Sequence, residues 1–240
     1  GFLHVAVTRG QVRPHLPRDL SARCLDLGCG TGKWGLKLLK SGYRTTLLDH
    51  APAMIGQVRE KLDETGWTAR GEAVVGDIIA MPQLPDSAFA LTLAMGDPLS
   101  ICSDPQRAAN EMFRGCEAGG VVNATGDART AALSPFFERG DLGELAKFVR
   151  TGRTHWLTRD QAEQFDLHTF TPQSLRKLFE RSGFEVVGVI GKPVLPVRAF
   201  RAMLEDPKAR RELAEIEMDL ASDASMAGFA NHLQVTARRP

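Results

Sequence analysis

Short apolar runs alternate with amphipathic stretches along the first half of the chain. "ARCLDL" (22–27), apolar on both faces as an interior parallel strand needs, predicts a first strand. A helix follows over about 32–41, with Leu36 and Leu39 spaced to cover a sheet and Gly42 as its stop. "RTTLLD" (44–49) is the second strand. "APAMIGQVREKLDETG" is then a helix with Pro52 near its start, Met54, Val58 and Leu62 on one stripe, and Gly66 at its end. "EAVVGD" (72–77) and "AFALTLAMG" (88–96) are the third and fourth strands. "PQRAANEMFRGCEAGG" is a helix, and "VVNAT" (121–125) is the fifth strand.

The alternation breaks after Gly126. Residues 127–170 hold "SPFFERGDLGELAKFVRTGRTHW" and end in "FDLHTF"; they predict a partly helical, aromatic-rich lid after a strand end. "TPQSLRKLFERSG" (171–183) returns to a helix, with Thr171 as cap, Pro172 at the first position and Gly183 closing it. "FEVVGVI" (184–190) and "NHLQVTA" (231–237) are strands, separated by a charged helix from Asp206-Pro207 to about Leu220. Residues 1–20, with Pro14 and Pro17, read as an arm leading into the core, with room for one short helix near "LHVAV". Strands and helices at this spacing argue for an open α/β sheet in one domain over 1–240. Its ligand-bearing loops follow the strand C-termini.

Composition narrows the field only a little. A formal net charge of +1 gives no field that would steer the molecule to nucleic acid or anionic lipid. No apolar run reaches the roughly 18 residues of a membrane span, and no secretory signal is visible. Cys24, Cys29, Cys102 and Cys116 are too scattered for a disulfide scaffold or a zinc site. They read as free thiols of a cytoplasmic protein with no metal.

The chemistry concentrates in "CLDLGCGTGKWG" (24–35). Glycines there let a backbone approach a ligand closely. A phosphate-gripping loop needs GxxxxGK followed by Ser or Thr, but Leu27 stands where the opening glycine belongs and Trp34 follows Lys33. Gly30, Gly32 and Gly35 do match the spacing of a dinucleotide turn. Asp26 distinguishes the readings: a carboxylate there repels a pyrophosphate and suits a ligand with an ammonium tail. Asp49, ending the next strand, can accept two ribose hydroxyls in either case.

In these motifs the chain resembles the class I S-adenosylmethionine-dependent methyltransferases. "LDLGCGTG" looks like their glycine-rich motif and "LLDHAPAMI" like the second. "GDIIAMPQLP" looks like the third, "LAMGDPLSICSD" like the fourth-strand motif, and "MFRGCEAGGVV" like the turn before the fifth strand, with Ala118 replacing the usual proline. The resemblance covers about 21–122. It implies a seven-stranded, mostly parallel Rossmann-like methyltransferase sheet, helices on both faces and an antiparallel C-terminal strand. It also implies S-adenosyl-L-methionine as cofactor. The backbone at Gly28 and Gly30 would surround the carboxypropyl part, with Asp26 near the ammonium. Asp49, with His50 beside it, would bind the ribose. Asp77 and Ile78 would meet the adenine, and Met95 would flank the methionine.

The shared motifs say nothing of the acceptor. In-line methyl transfer needs alignment and exclusion of water, and a base only where the nucleophile carries a proton of high pKa. His155 and His168, on the lid, are the candidate catalytic residues; His4 lies on the arm, and His232 reads as structural. Arg153 and Arg159 flank His155. Phe136, Phe137, Phe148, Trp156, Phe165 and Phe170 suggest lid packing or an aromatic pocket. The reading is transfer of a methyl group to a small-molecule O, N or C nucleophile, with no nucleic-acid or membrane partner. "GDPLS" stands where amino-methylating base methyltransferases carry NPPY. The alternatives are a cyclase using the same cofactor, a tRNA or protein methyltransferase, and a binding protein without turnover.

Overall fold

The computed structural model describes residues 2–155, 165–196 and 201–240. Trp156 and Arg159, named above, lie outside the described residues. In chain order the N-terminal half reads α1 (Phe2–Val12), β1 (Arg23–Leu27), α2 (Gly35–Lys40), β2 (Arg44–Asp49), α3 (Pro52–Thr65), β3 (Gly71–Val75), β4 (Phe89–Ala94), α4 (Pro98–Ile101), α5 (Pro105–Gly115) and β5 (Cys116–Asp127). Then follow α6 (Ser134–Arg139), α7 (Leu142–Thr151), β6 (Arg153–His155), β7 (Asp166–His168), α8 (Pro172–Arg181), β8 (Glu185–Lys192), α9 (Pro207–Ser222) and β9 (His232–Arg238).

The main sheet has seven strands in the order β3-β2-β1-β4-β5-β9-β8. Pairs from β3 through β5 are parallel, and β9 runs antiparallel to both β5 and β8. This is the Rossmann-like sheet, flanked by helices, that the motif order implied. Strand alternation divides the core between the two faces. Leu25, Leu27 and Leu48 pack with Ala108, Met112, Leu175 and Phe179. Cys24 and Leu91 pack with Val12 and Leu38, and Leu47 packs with Ile55, Val58 and Leu62. Each such side chain contributes roughly 1.5–3 kcal/mol when taken from water.

Several expectations shift at residue level. The buried stripe of α3 is Ile55, Val58 and Leu62, while Met54 points outward, since i, i+3, i+7 spacing fits Ile55 equally well. α2 begins at Gly35, because residues 31–34 are spent on the turn. Segment 127–170 holds α6 and α7 and also the hairpin β6-β7. Phe136 stacks on Phe148 with centroids 4.8 Å apart, and Phe170 packs against Gly126, so these three rings serve packing. Phe137 is exposed.

Residues 2–12 form a helix docked by Leu3, Val7 and Val12. A buried polar chain ties it to the sheet. Lys192, 0% exposed, donates to Gln234 Oε1 and to Thr8 Oγ1, and Thr8 Oγ1 donates to the His4 carbonyl. Gln234 Nε2 donates in turn to Asn123 Oδ1 at 3.1 Å. Among the described residues, no helix is long and apolar enough to cross a membrane.

Candidate functional site

The turn after β1 owes its shape to glycines at positive φ: Gly28 at 60°, Gly30 at 53° and Gly32 at 87°. Two of them differ in kind. A Cβ on Gly28 would stand 2.8 Å from Pro98 Cβ, so this glycine lets the loop after β4 abut the turn. A Cβ on Gly30 would meet nothing within 4 Å, so its surface is open to a ligand. Gly28→Val therefore combines a left-handed backbone with a clash. It is expected to destabilise the fold by about 2–4 kcal/mol, read as a lower urea midpoint; an unchanged midpoint would refute the close approach.

Two carboxylates brace this turn. Asp26 is 1% exposed, and its Oδ2 accepts from the Gly35 amide at 2.6 Å, which fixes the start of α2. Its Oδ1 is buried without a hydrogen-bond partner among the described residues. Burial, partly offset by the Gly35 hydrogen bond and reinforced by the Asp49 charge, pushes the Asp26 carboxyl up to about 7. Asp49, 6% exposed at the end of β2, accepts from the Gly30 amide at 2.8 Å and from the Ala51 amide at 3.0 Å. A carboxylate offers about four lone-pair sites, so two amides leave capacity for two ligand hydroxyls. His50 is exposed, its Nδ1 3.5 Å from Asp49 Oδ1.

Along the same edge, Asp77 is exposed and accepts from the Ile79 amide at 3.1 Å, while Ile78 beside it is buried. Arg114 and Glu111 of α5 hold this loop: Arg114 donates to the Met81 and Leu84 carbonyls, and Glu111 accepts from the Met81 amide at 2.7 Å. Met95 is buried after β4. The Asp26, Asp49 and Asp77 carboxylates are acceptors, which suits a ligand with an ammonium group, a diol and an exocyclic amine. Two surface cavities, one lined by Arg23, Arg44 and Arg70 and one by Ile79, Pro82 and Arg107, lie away from the turn.

The four thiols are inert. Burial pushes Cys24, Cys102 and Cys116 up to about 12 and raises Cys29 further.

The two lid histidines are not brought together on the turn. His155 is 70% exposed and pairs across the hairpin with Asp166, Nδ1 to Oδ1 2.9 Å. His168 is half-buried opposite Arg153; burial first, then that cation, lowers its pKa.

Sequence reasoning missed a different cluster on the same edge. Asp97 follows β4, Asp127 ends β5 and His232 opens β9, where it is the direct cross-strand partner of Asp127. His232 Nδ1 lies 2.9 Å from Asp97 Oδ2 and 3.4 Å from Asp127 Oδ1. Neither contact has hydrogen-bond alignment, so the link is ionic. Against the opposing effect of burial, the two carboxylates hold the imidazole proton and raise His232 to about 10. The signal available beforehand was positional: all three residues sit where predicted strands end or begin on one edge. These donors lie within 4.8 Å of one another, close enough to hold a cation. The imidazolium already supplies positive charge there.

Residues 24–120 match the family model described as "Methyltransferase domain". A malonyl-[acyl-carrier protein] O-methyltransferase of Serratia marcescens is 35% identical over 98 residues, 41% of this chain and 35% of that protein. A phosphatidylethanolamine N-methyltransferase of Cereibacter sphaeroides is 33% identical over 100 residues, 42% of this chain and 48% of that one. The chain thus spans only a third to a half of the curated relatives it matches. Among solved structures, an S-adenosylmethionine-dependent methyltransferase of Methanosarcina mazei superposes with TM-score 0.67 at 20% identity, covering 95% of this chain and 96% of that one. At that identity the likeness speaks for the fold alone. Residues 24–120 are thus similar to methyltransferase domains, and the sheet order is that of a Rossmann-like fold.

Proposed function

We propose that the protein binds S-adenosylmethionine on the β1 turn and transfers its methyl group to a small-molecule nucleophile. The observation that carries this reading is the open face of Gly30 beside Asp49, whose carboxylate keeps lone pairs free next to a left-handed glycine backbone. Asp49 would bind the ribose hydroxyls, with His50 at the rim. Asp77 would accept from the adenine amine and Ile78 would cover the ring. Met95, Gly28 and Gly30 would line the methionine part, and Asp26 Oδ1 would face the ammonium directly or through water. When bound, the cofactor supplies an electrophilic methyl carbon on a positive sulfur. The chain's own work is to orient that carbon and exclude water from it.

Two measurements test the reading. Incubation with labelled cofactor and a metabolite extract is expected to yield a methylated product and S-adenosylhomocysteine. Methylthioadenosine in its place would mean a different use of the sulfonium, and binding without any product would leave a sensor.

The second measurement concerns Asp26. At pH 6.5 a carboxyl lifted to about 7 is mostly protonated in the free protein. An ammonium beside it favours the ionised form, so cofactor binding is expected to release a proton. Calorimetry at pH 6.5 in two buffers of different ionisation enthalpy reads this directly. Identical binding enthalpies in both would remove Asp26 from the ammonium site.

A further inference from the structure

We propose that His232, with Asp97 and Asp127 as positioning residues and His4 as wall, is the general base of the acceptor site, and that its substrate is a nucleophile bearing a proton on oxygen or nitrogen. This rests on the methyl-transfer reading and deepens it.

Placement comes first. Pro98, the residue after Asp97, stands against Gly28, so the cluster adjoins the glycine turn at the end where the methionine part of the cofactor would lie. Its frame is built in advance. Asp97 is a non-glycine residue at φ 64°, a conformation that persists only where surroundings enforce it. Thr125 Oγ1 enforces it by accepting from the Gly96 and Asp97 amides at 3.1 and 2.9 Å. Ser100 Oγ accepts from the Asp127 amide at 2.7 Å, which ties α4 to the end of β5.

The orientation of the imidazole comes next. Nδ1 is buried between the two carboxylates, while no group among the described residues hydrogen-bonds Nε2. The ring is 30% exposed. Carboxylate charge at one nitrogen with the other nitrogen free stabilises the imidazolium that proton abstraction would form, here through an ionic contact. His4 packs edge-on against it, centroids 5.3 Å apart at 87°, and closes one side. Burial first, then Lys192 and His232, lowers His4 to about 3, so this wall stays uncharged.

The substrate class follows from an orphan. Asp97 Oδ1 is buried and, among the described residues, has no hydrogen-bond donor. Leaving such an atom unpaired is costly, and a ligand O–H or N–H satisfies it where an ionised carboxylate would be repelled.

The step balances. The nucleophile's lone pair forms the bond to the methyl carbon, and the carbon–sulfur pair remains on sulfur, turning the sulfonium into a neutral thioether. The nucleophile's proton passes to Nε2 of neutral His232, and Asp97 and Asp127 stabilise the resulting imidazolium. The charged or titratable groups facing His232 are Asp97 after β4, Asp127 on β5, His4 on α1 and its cross-strand partner Lys192 on β8. Since the neutral form is the active one, the rate is expected to climb with pH well above 7.

The test uses the full chain, S-adenosylmethionine and two probe sets, simple phenols and primary amines against carboxylic acids and thioethers, with S-adenosylhomocysteine read by mass spectrometry. Turnover of a phenol or an amine is expected, and which of them reacts identifies the atom. His232→Gln is expected to lower turnover at least a hundredfold while cofactor affinity stays within about threefold. Should that variant fold poorly, Asp97→Asn keeps the shape. It is expected to move the pH–rate rise to lower pH, a shift that a purely structural role would not produce. Methylation of acids only, no product from either set, an unchanged pH profile in Asp97→Asn, or activity lost to EDTA and restored by magnesium would each overturn the assignment. Failure of the wild type to bind the cofactor would instead sink the underlying methyl-transfer reading.

Discussion

Asp49→Ala is expected to weaken S-adenosylmethionine binding by about a hundredfold to a thousandfold, measured by calorimetry. Two effects add. The ribose loses a charged acceptor worth roughly 1.5–3 kcal/mol per hydrogen bond, and a tenfold change in affinity is about 1.4 kcal/mol. The Gly30 and Ala51 amides also lose the carboxylate that holds them, so the turn itself slackens. A matching loss of thermal stability is expected to be modest, because both amides reach solvent once the side chain is gone. Unchanged affinity in a folded variant would exclude the ribose role and, with it, most of the case for this cofactor.

The second large effect concerns how stability depends on pH, because two neighbours titrate in opposite senses. His232 is raised from 6.5 to about 10 in the fold. Its stabilising contribution is complete below pH 6.5 and is lost as pH rises towards 10. Lys192 is lowered from 10.5 to about 7, chiefly by burial. The unfolded chain binds the extra proton between those values, so stability rises with pH across the same range. Either group alone tilts the unfolding free energy by up to about 1.4 kcal/mol per pH unit, and together they nearly cancel. In urea titrations between pH 7.5 and 8.5 the four thiols, which titrate at about 8.5 once unfolded, add a decline common to every variant. The other two groups are therefore read as slopes relative to the wild type. Lys192→Met is expected to expose a decline of about 1 kcal/mol, and His232→Gln a rise of similar size. Parallel pH profiles in all three proteins would show that neither group titrates as its surroundings dictate.

The sheet order and the glycine turn were legible because their determinants are local. A strand, a glycine turn and a carboxylate at the next strand end are contiguous text, and the alternation of strand and helix fixes which edge they share. The Asp97–Asp127–His232 cluster was not, for equally physical reasons. His232 gains its partners only through the antiparallel register of β9 on β5, a pairing between residues about a hundred positions apart that no local period encodes. The apolar run of β8 ends at Ile190, so no sequence period marks Lys192, yet the strand continues and buries the lysine against α1. His155 and His168 drew attention by sitting on an aromatic-rich insertion, yet the β6-β7 pairing gives each a charged partner within the hairpin or opposite it. The stripe of α3 shows the finer limit: periodicity marks a helix face but does not decide between Met54 and Ile55.

The seam between the turn and the Asp97–Asp127–His232 cluster falls near the edge of the matched segment. The segment shared with relatives ends at residue 120 and contains the turn, Asp49 and Asp77. Asp127, His232, His4 and Lys192 all come from chain outside it, and only Asp97 belongs to both. The glycine turn and the cluster are therefore carried by largely separate stretches of chain. Hybrids that graft residues 1–20 and 121–240 onto a cousin's middle segment offer a route to new acceptors without rebuilding the cofactor cradle.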